Sequence, residues 1–588
     1  MNILLVVGIG FVLLLIASRT YPFWIGRVFR ENDANPMPAE QFADGREFVK
    51  TPSHIVFAHH FASIAGAGPI VGPIIALAFG WGPAWLWIII GGIFYGAVHD
   101  MTAMFVSVRE GGKTIAEIAR RTLGNFGYFL FVAFLLIVIS FVNAIFLRLS
   151  AAALSSAYPL EFLGDEAANY VRVFTDNEGV EKGRIGGIAT TSVIIMTLAA
   201  PLLGVLIHKA KLRGAAVFAI AGGVCVFSVI AGFAVPVALT PDVWMIVLAA
   251  YVFLACWIPV WLVLQPRDFM NVQLLYGGIL LLLAGSIVAG FSGGQTQLPI
   301  ESIEAGTARH GPIWPIMFIT IACGAISGFH SLVATGTTVR QIPRESDCRR
   351  IGYNAMLLES FLALLVLTAV ASQLDAGHYT HAMTATGGGA ILTFAIACGQ
   401  LFAHLGIPIA IGCVLGILVI EGFLVTTLDT AIRLARYLFE ELWSCLFKGE
   451  TPAMLKKPSV NTLCAVGMML LFAYSKDAYD ALWPYFGSGN QLIGALALTT
   501  VALWLMQRGR SYWFALLPAV FMVATAVSAL AMIVYREWEK ESEGAMRFVI
   551  VGAGVLLLAL ATGFVLIASL RVRAAMRGNG RAQAGLRS

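Results

Sequence analysis

The chain has 588 residues, of which 59% are hydrophobic and only 12% are charged, and its mean hydropathy is +0.83. These values exclude a soluble globular enzyme and predict an all-α polytopic membrane protein, because a helical span needs about 20 apolar residues and such runs follow one another almost end to end. A β-barrel is disfavoured because barrel strands alternate over about ten residues, whereas these runs are continuous. The formal net charge of +5 gives no reason to expect a nucleic-acid partner.

The apolar runs, in chain order, predict about 15 membrane spans. The first run lacks a basic n-region and a small-residue cleavage site, which indicates a retained span and not a signal peptide. The eight cysteines are scattered without CxxC or Cys/His ligand spacing, so neither a metal ion nor another cofactor is expected. The predicted spans are 2–18, 53–80, 82–108, 125–157, 187–208, 214–236, 242–265, 271–291, 313–339, 355–373, 407–432, 459–475, 490–506, 511–535 and 547–570.

Basic residues are distributed unevenly between the two sets of predicted loops. One set, together with the C-terminal tail, holds 29 of the 38 Lys and Arg residues. The positive-inside rule therefore places the N-terminus outside and the C-terminus in the cytoplasm. A further apolar segment, 390–406, would invert all later spans if it crossed the membrane. We therefore expect it to be re-entrant or to lie on the external surface.

The segment "HHFASIAGAGPIVGP" (59–73) places three glycines and two prolines within eight residues of a predicted span. Non-helical backbone at membrane depth survives only where it is buried in protein or lines a polar cavity. Transporters use such breaks to present helix ends and free carbonyls to a ligand, and a helix restarting near Pro69 would favour a carboxylate. The alternative is a packing kink. Substrate contacts are predicted for Ser63, Gly66, Ala67, Gly68, Pro69, Ile70 and Val71.

The segment "IACGAISGFHSLVATGTT" (321–338) interrupts a second span, which runs in the opposite direction by the charge count. Two opposed broken helices are typical of inverted repeats. The alternative is a satisfied polar patch between close-packed helices. Substrate contacts are predicted here for Ser327, Gly328, Phe329, His330 and Ser331.

Counting spans after each break predicts two inverted five-helix halves. This 5+5 arrangement resembles the leucine-transporter fold of the amino-acid–polyamine–cation transporters. The predicted units are an N-terminal span and cytoplasmic loop (1–52), the first repeat (53–236), two linking spans (237–312), the second repeat (313–506), and two final spans with a basic tail (507–588).

The two broken segments and the later "WPYFGSGNQLIGAL" resemble the carbon starvation protein A family. The resemblance covers essentially the full chain. It implies proton- or cation-coupled uptake of small carbon sources in bacteria, with pyruvate and peptides as the substrate classes.

Ionisable side chains within spans are costly and are therefore candidates for ion coupling. The predicted coupling residues are His59, His60, His99, Asp100, Glu421, Thr426, Thr427 and Asp429. Alternatives are a pair between Asp100 and Arg109 and an i,i+4 pair between Asp429 and Arg433. Weaker candidates are His54, Asn143, Arg148, and the possible helix caps Asn490 and Gln491.

The chain lacks HExxH, GxSxG and Walker-type motifs, which argues against an enzyme or an ATP-driven pump. The leading hypothesis is a secondary-active symporter of the bacterial inner membrane that takes up pyruvate or a similar small carboxylate during carbon starvation. The coupling ion is a proton or sodium. Alternatives are cation-coupled peptide or amino-acid uptake, a nutrient receptor without transport, and a channel. Expected partners are the substrate and membrane lipid; the oligomeric state is not indicated.

Overall fold

The computed structural model describes most of the chain as packed helices, with one small sheet. The described residues are 1–45, 47–164, 166–176, 179–212, 214–296, 307–308, 310–384, 389–474, 476–539 and 545–585. Residues 297–306, within the predicted linking unit 237–312, lie outside this set.

The first part of the chain forms helices up to a small sheet. Two turns are not α-helical: a 3₁₀ turn (Leu77–Phe79) extends α4, and a π-helical turn (Gly92–Gly96) joins α5 to α6. The helices are α1 (Ile3–Phe29), α2 (Pro38–Gln41), α3 (Ser53–Ile64), α4 (Gly68–Ala76), α5 (Trp81–Gly91), α6 (Ala97–Arg109) and α7 (Ile115–Leu154).

A three-stranded antiparallel sheet follows α7, with β1 (Ala157–Pro159), β2 (Arg172–Thr175) and β3 (Glu181–Arg184) in the order β1-β3-β2. In its register Ala157 is opposite Arg184, and Val173 is opposite Gly183. The chain then returns to helices: α8 (Gly186–His208), α9 (Ala215–Ala234), α10 (Pro241–Ala255) and α11 (Leu264–Phe291).

The second part of the chain begins with a broken helix. A π-helical turn (Ile313–Met317) leads into the three-residue α12, and another (Cys348–Tyr353) leads into α14. The helices are α12 (Phe318–Thr320), α13 (Phe329–Gly336), α14 (Asn354–Gln373), α15 (Ala376–Thr384), α16 (Gly389–Ala403), α17 (Ile409–Leu446), α18 (Pro458–Ala473), α19 (Lys476–Gln507), α20 (Trp513–Glu539) and α21 (Ala545–Gly585).

Local sequence explains where the long helix α7 begins and bends. Thr114 and Glu117 form a capping box, in which the Thr114 hydroxyl accepts from the Glu117 N–H and the Glu117 carboxylate accepts from the Thr114 N–H. Gly124 adopts φ +86°, a conformation that other residues rarely take, so the helix axis changes direction there. The membrane-length part of the helix starts at this glycine.

Eleven helices in the described ranges are long and apolar enough to cross a membrane, or twelve if the bent pair α3–α4 is one span. The expected count of about 15 is thus not confirmed. The predicted spans outside the eleven are the two broken ones and two whose helices, α10 and α18, have only 15 and 16 residues.

Several predicted boundaries are wrong because helices continue past the apolar run. α1 extends to Phe29, and α17 extends to Leu446 through the predicted cytoplasmic loop 433–457. α11 begins at Leu264, so Arg267 lies in a helix and not in a loop. α19 begins at Lys476, so the segment "FGSG" lies inside a helix. Arg267, Arg433 and Arg436 are buried in the added turns of α11 and α17, which hydropathy alone does not anticipate.

The segment expected to be re-entrant or surface-lying is the 15-residue helix α16. It does not lie on the surface, because most of its side chains are buried. It packs antiparallel on the start of α17 with small residues in contact: a β-carbon at Gly412 would lie 2.8 Å from the Cα of Gly399. α15 packs beside it through Tyr379 and Ala382, while most other side chains of α15 are exposed.

α7 and α17 pack against each other along the middle of the molecule. In each, 83% of the most apolar window is buried, whereas the corresponding values for α8 and α9 are 39% and 28%. The exposed residues of α8 and α9 include Leu198, Leu202 and Ile230, so these helices present apolar side chains outward. In a membrane protein such a face contacts lipid.

Candidate functional site

The two broken helices meet at their breaks. α3 ends at Ile64 and α4 begins at Gly68, with a bend of 41° between them. The second break is longer, from the end of α12 at Thr320 to the start of α13. A β-carbon at Gly68 would lie 2.2 Å from the Cβ of Cys323, and one at Gly72 would lie 2.7 Å from the carbonyl oxygen of Thr320. Glycine therefore permits the first break to pack directly on the second.

The first break lies against α17. The Thr427 hydroxyl donates to the carbonyl oxygen of Ser63 over 3.4 Å. A β-carbon at Gly66 would lie 2.8 Å from the Phe146 ring and 2.9 Å from Oγ1 of Thr427. The buried Ser63 hydroxyl has no hydrogen-bond partner in the described part of the chain. The structure thus brings Ser63, Gly66 and Thr427, all predicted site residues, into one place.

The start of α4 is a tight turn at Ala67. The N–H groups of Ile70 and Val71 both donate to the Ala67 carbonyl oxygen, at 3.1 and 2.7 Å. Gly68, Pro69, Ile70 and Val71 are buried. These two N–H groups are therefore already paired, and because Pro69 has no N–H, Gly68 is the remaining residue before them in α4 that carries one.

Asn490 organises the second break. Its Oδ1 accepts from the N–H of Phe329 at 2.8 Å, its Nδ2 donates to Oγ of Ser327 at 2.9 Å, and its carbonyl oxygen accepts from the N–H of Gly328 at 3.0 Å. The Ser331 hydroxyl donates back to the Gly328 carbonyl oxygen. Asn490 lies in the middle of α19, so its predicted role as a cap of its own helix is wrong. It caps α13 instead.

A buried group of acids and histidines lies beside the second break, and we call His99, Asp100, His330 and Glu359 the Asp100 cluster. Nδ1 of His99 donates to Oδ1 of Asp100 at 2.7 Å, and Nδ1 of His330 donates to Oδ2 at 2.9 Å. Nε2 of His330 lies 3.4 Å from Oε2 of Glu359. All four side chains are fully buried. The alternative pair of Asp100 with Arg109 is wrong.

Sequence reasoning missed Glu359, although a lone acid in the apolar run 354–373 was a usable signal. The Arg109 guanidinium donates to both carboxylate oxygens of Glu345, at 2.5 and 3.0 Å. Glu345 also accepts from Asn35 and from the Asn32 N–H. This second group of contacts ties α6 to the segment before α14 and stands apart from the Asp100 cluster.

A second buried charged group lies beside the first break, and we call Tyr251, Arg267, Asp268 and Asp429 the Arg267 cluster. The Arg267 guanidinium donates to Asp429 and Tyr251, and also to Asp268 at 3.2 Å. The Tyr251 hydroxyl donates to Asp429 at 2.9 Å. Arg267 and the two aspartates are fully buried. The cluster joins α10, α11 and α17.

The alternative pairing of Asp429 with Arg433 is wrong. The Arg433 guanidinium donates to the carbonyl oxygens of Ala255 and Ile258, each at 3.0 Å. Sequence reasoning missed Arg267 and Asp268 because both were placed in a loop between two spans. Their signal was an adjacent acid–base pair in front of an apolar run.

The neighbouring residues His59 and His60 point to different groups. Nδ1 of His59 donates to Oδ2 of Asp268 at 2.7 Å, which attaches it to the Arg267 cluster. Nδ1 of His60 lies 2.8 Å from the Thr338 hydroxyl, away from the Arg267 cluster. Both rings are buried, and neither Nε2 has a hydrogen-bond partner among the described side chains.

Thr426 and Glu421 occupy different surroundings on α17. The Thr426 hydroxyl accepts from Arg267 at 3.2 Å and from Asn271 at 3.1 Å. Glu421 is fully buried, and within the described ranges neither of its carboxylate oxygens has a hydrogen-bond partner. Glu421 therefore shares a helix with Asp429 but lacks its direct cationic partner.

The weaker candidates lie apart from both clusters. Arg148 donates to the carbonyl oxygen of Ala473 at 2.7 Å, and His54 stacks on Phe218 at 5.9 Å between ring centroids. Asn143 is buried on α7. Gln491 donates to the Phe318 carbonyl oxygen and so holds α12 to α19.

Comparison with known proteins places this chain among bacterial transporters. The family model "Carbon starvation protein CstA" matches residues 2–388 and 380–529. The peptide transporter CstA of Bacillus subtilis is 29% identical over 573 residues, covering 89% of each chain. The pyruvate/proton symporter BtsT of Escherichia coli is 28% identical over 613 residues, covering 88% of this chain and 80% of the relative.

A solved manganese transporter of Eremococcus coleocola covers 91% of this chain and 99% of its own at 11% identity, with a TM-score of 0.47. That score is below the level that establishes a shared fold. The names of the sequence relatives are those of transporters and not of enzymes. Their bacterial sources and the membrane-length helices indicate a multi-pass protein of the bacterial inner membrane. With the family model matching nearly the whole chain, this protein belongs to the carbon starvation protein CstA family.

Proposed function

We propose that this protein is a secondary-active transporter that takes up pyruvate or a similar small carboxylate by proton symport. The observation that carries the proposal is the contact between two broken helices, each flanked by a fully buried cluster of ionisable side chains. One relative is named as a pyruvate/proton symporter, and others as peptide transporters. Peptide uptake is therefore the second candidate.

Helix packing supports a 5+5 inverted repeat with a different membership from the expected blocks 53–236 and 313–506. α11 packs on α3 and α17, while α19 packs on α13 and α7. α10 packs on α7, while α18 packs on α17. The contacts of one half then correspond to those of the other, because the fifth member of each half packs on its own first member and on the third member of the other half. The first half is α3–α4, α5–α6, α7, α10 and α11, and the second is α12–α13, α14, α17, α18 and α19.

In this arrangement α8 and α9 are a hairpin inserted into the first half. They pack against each other and against α11, and they present apolar side chains outward. Removing a hairpin leaves the direction of all later helices unchanged, so the two halves remain opposite in polarity. The α15–α16 hairpin would enter from the external side between the second and third members of the second half.

We place the N-terminus outside and the C-terminus in the cytoplasm because of the basic loops. A cavity of about 630 Å³ lies at the basic end, where its lining includes Lys113, Arg120, Arg121 and Arg340. Near the first break, by contrast, the space beside Ala62 and Asn271 is too narrow for a water-sized sphere. We propose that the route from the breaks to the cytoplasm runs toward this cavity and narrows beside Ala62.

Proton coupling is favoured over sodium coupling because the predicted coupling residues Thr426 and Asp429 already contact a cation, the Arg267 guanidinium. The Arg267 guanidinium already neutralises Asp429 and occupies the Thr426 hydroxyl, which a sodium ion would need. Glu421 has no such partner. An ionised carboxylate buried in this way costs several kcal/mol, and a bound proton removes that cost. We propose Glu421 as a proton carrier, with His60 and Asp100 as further coupling residues.

The test is uptake of labelled pyruvate by proteoliposomes under an imposed pH gradient or sodium gradient. Accumulation driven by the pH gradient alone is expected. Glu421→Gln should keep pyruvate exchange between the two sides but lose gradient-driven accumulation, because an amide cannot carry the proton. Glu440→Gln, at a partly exposed carboxylate on the same helix, is the matched control.

Accumulation driven by sodium, or indifference to both gradients, would contradict proton coupling. Uptake of labelled di- or tripeptides, with no uptake of pyruvate, would select the peptide candidate. Binding without any flux would select a receptor.

A further inference from the structure

We propose that Cys323, His330 and Glu359 bind one divalent transition-metal ion of the Zn²⁺ class at the second break. Their three donor atoms, Sγ, Nε2 and a carboxylate oxygen, lie within 4.8 Å of one another, and all three residues are buried. They come from the break itself, from α13 and from α14. The inference concerns a resident ion and does not depend on which substrate is carried.

Two hydrogen-bond acceptors face each other in this group. Because Nδ1 of His330 donates to Asp100, a neutral ring carries its lone pair on Nε2. That lone pair lies 3.4 Å from Oε2 of Glu359, and among the described residues neither Nε2 nor the Glu359 oxygens have a hydrogen-bond partner. Two acceptors this close need a cation between them, which is either a proton or a metal ion.

The separation suits a metal ion. Zinc bonds of about 2.0–2.2 Å to nitrogen and oxygen place two tetrahedral ligands about 3.4 Å apart. A proton shared by His330 and Glu359 needs no third group, whereas Cys323 adds a thiolate donor, which borderline and soft metal ions prefer. The thiol already accepts a hydrogen bond from Nδ2 of Asn490 at 3.7 Å. The third donor therefore favours a metal ion over a proton.

Charge balance points the same way. A dication bound by one thiolate, one carboxylate and one neutral imidazole has no net charge. A fully buried site accepts such a complex far more readily than an isolated ion. The three residues have no permanently charged group among them, unlike the Arg267 cluster.

The rest of the Asp100 cluster has the form of an outer shell. Histidines that bind metals almost always donate their other ring N–H to a carboxylate or carbonyl, which sets the ring orientation. Asp100 provides that carboxylate, and His99 holds its second oxygen at 2.7 Å. Asp100 and His99 are thus positioning residues for His330.

The site would connect the two breaks. A β-carbon at Gly68 would lie 2.3 Å from Sγ of Cys323, so the first break packs on one of the ligands. Three protein ligands leave the fourth tetrahedral position for a water or a substrate oxygen.

The test is metal binding by the purified full-length chain in detergent. The protein is stripped with a chelator, loaded with Zn²⁺ or Co²⁺ and desalted, and its metal content is measured. We expect one ion per chain, and with Co²⁺ a thiolate-to-metal charge-transfer band. Cys323→Ser should lose the band, and Asp100→Asn should weaken binding by about 10- to 100-fold. Cys398→Ser, at a buried thiol on α16, is the matched control.

Size-exclusion profiles and melting curves establish that each variant is folded, and Zn²⁺ should raise the melting temperature of the native chain but not of Cys323→Ser. Absence of a stoichiometric ion in the native chain, or equal retention by Cys323→Ser, would overturn the proposal. If Glu359→Gln loses proton-driven uptake while Cys323→Ser keeps native uptake, the cation between His330 and Glu359 is a proton and the metal proposal is overturned. None of these outcomes for the metal ion contradicts the proposed transport function.

Discussion

The Arg267 cluster and the Asp100 cluster are both fully buried, and each flanks one of the two breaks, yet their charges are balanced differently. The Arg267 cluster contains a guanidinium, which stays protonated at all physiological pH values. The Asp100 cluster contains only histidines and carboxylic acids, whose charge can change. A permanent cation suits a cluster that holds helices together, whereas titratable groups suit one that takes up and releases ions.

The largest expected effect comes from removing the permanent cation. Arg267→Gln leaves Asp268 and Asp429 buried without a compensating charge, and breaking a buried pair in this way costs about 3–5 kcal/mol. The melting temperature in detergent should fall sharply. Arg267→Lys keeps the charge but loses the fork that reaches both aspartates, so an intermediate fall is expected. A native melting temperature for Arg267→Gln would show that the cluster does not hold the helices together.

The second effect concerns the contact between the breaks. Gly68→Val places a side chain where Cys323 already lies, and overpacking of this kind costs about 1–3 kcal/mol. Pyruvate binding should be lost as the two breaks separate. Gly68→Ala adds only one methyl group and should weaken pyruvate binding less than Gly68→Val. Normal pyruvate binding by Gly68→Val would mean that the first break is a packing kink and that the site lies elsewhere.

The third effect compares two adjacent histidines without a large change in stability. His60→Gln should bind pyruvate but show a flatter rise of uptake as the external pH falls, because a buried imidazole that can carry a proton is gone. His59→Gln should keep the native slope, since its partner Asp268 retains the permanent cation of Arg267. Initial uptake rates across a pH series measure both. Identical slopes for the two variants would remove the distinction between the clusters.

The smallest effect is expected for charges near the surface. Glu47 lies 3.5 Å from Arg433, 3.7 Å from Arg436 and 3.9 Å from Arg340, and it is partly exposed. Glu47 itself reaches water, and the buried Arg433 and Arg436 also donate to carbonyl oxygens, so Glu47→Gln should lower the free energy of unfolding by less than Arg267→Gln. Glu40→Gln, which removes an exposed pair with Lys50, is the control. If Glu47→Gln lowers the melting temperature as much as Arg267→Gln does, then burial does not explain the different contributions of the two charged groups.

The breaks were predictable because glycine and proline act locally. "GAGPIVGP" and "GAISGFH" concentrate residues that disfavour a helix, and the structure has breaks at 65–67 and 321–328. Boundaries such as those of α17 and α19 were not predictable, since charged or glycine-containing turns remain helical when neighbouring helices bury them. Asn490 was not predictable for the same reason. It lies 161 residues from Phe329 in the sequence, so the sequence gave no sign that it caps α13.

The sequence by itself determined the membrane class, the positions of both breaks and the family, because hydropathy, glycine and proline content and family motifs are properties of local segments. Only the tertiary structure decided which buried groups pair. Arg267 and Asp429 are 162 residues apart, and His330 and Asp100 are 230 residues apart. A helix brings side chains that are three to four residues apart onto one face. Which face of a distant helix they then meet depends on how all the helices pack. The Arg267 cluster and the Cys323–His330–Glu359 group exist only through that packing.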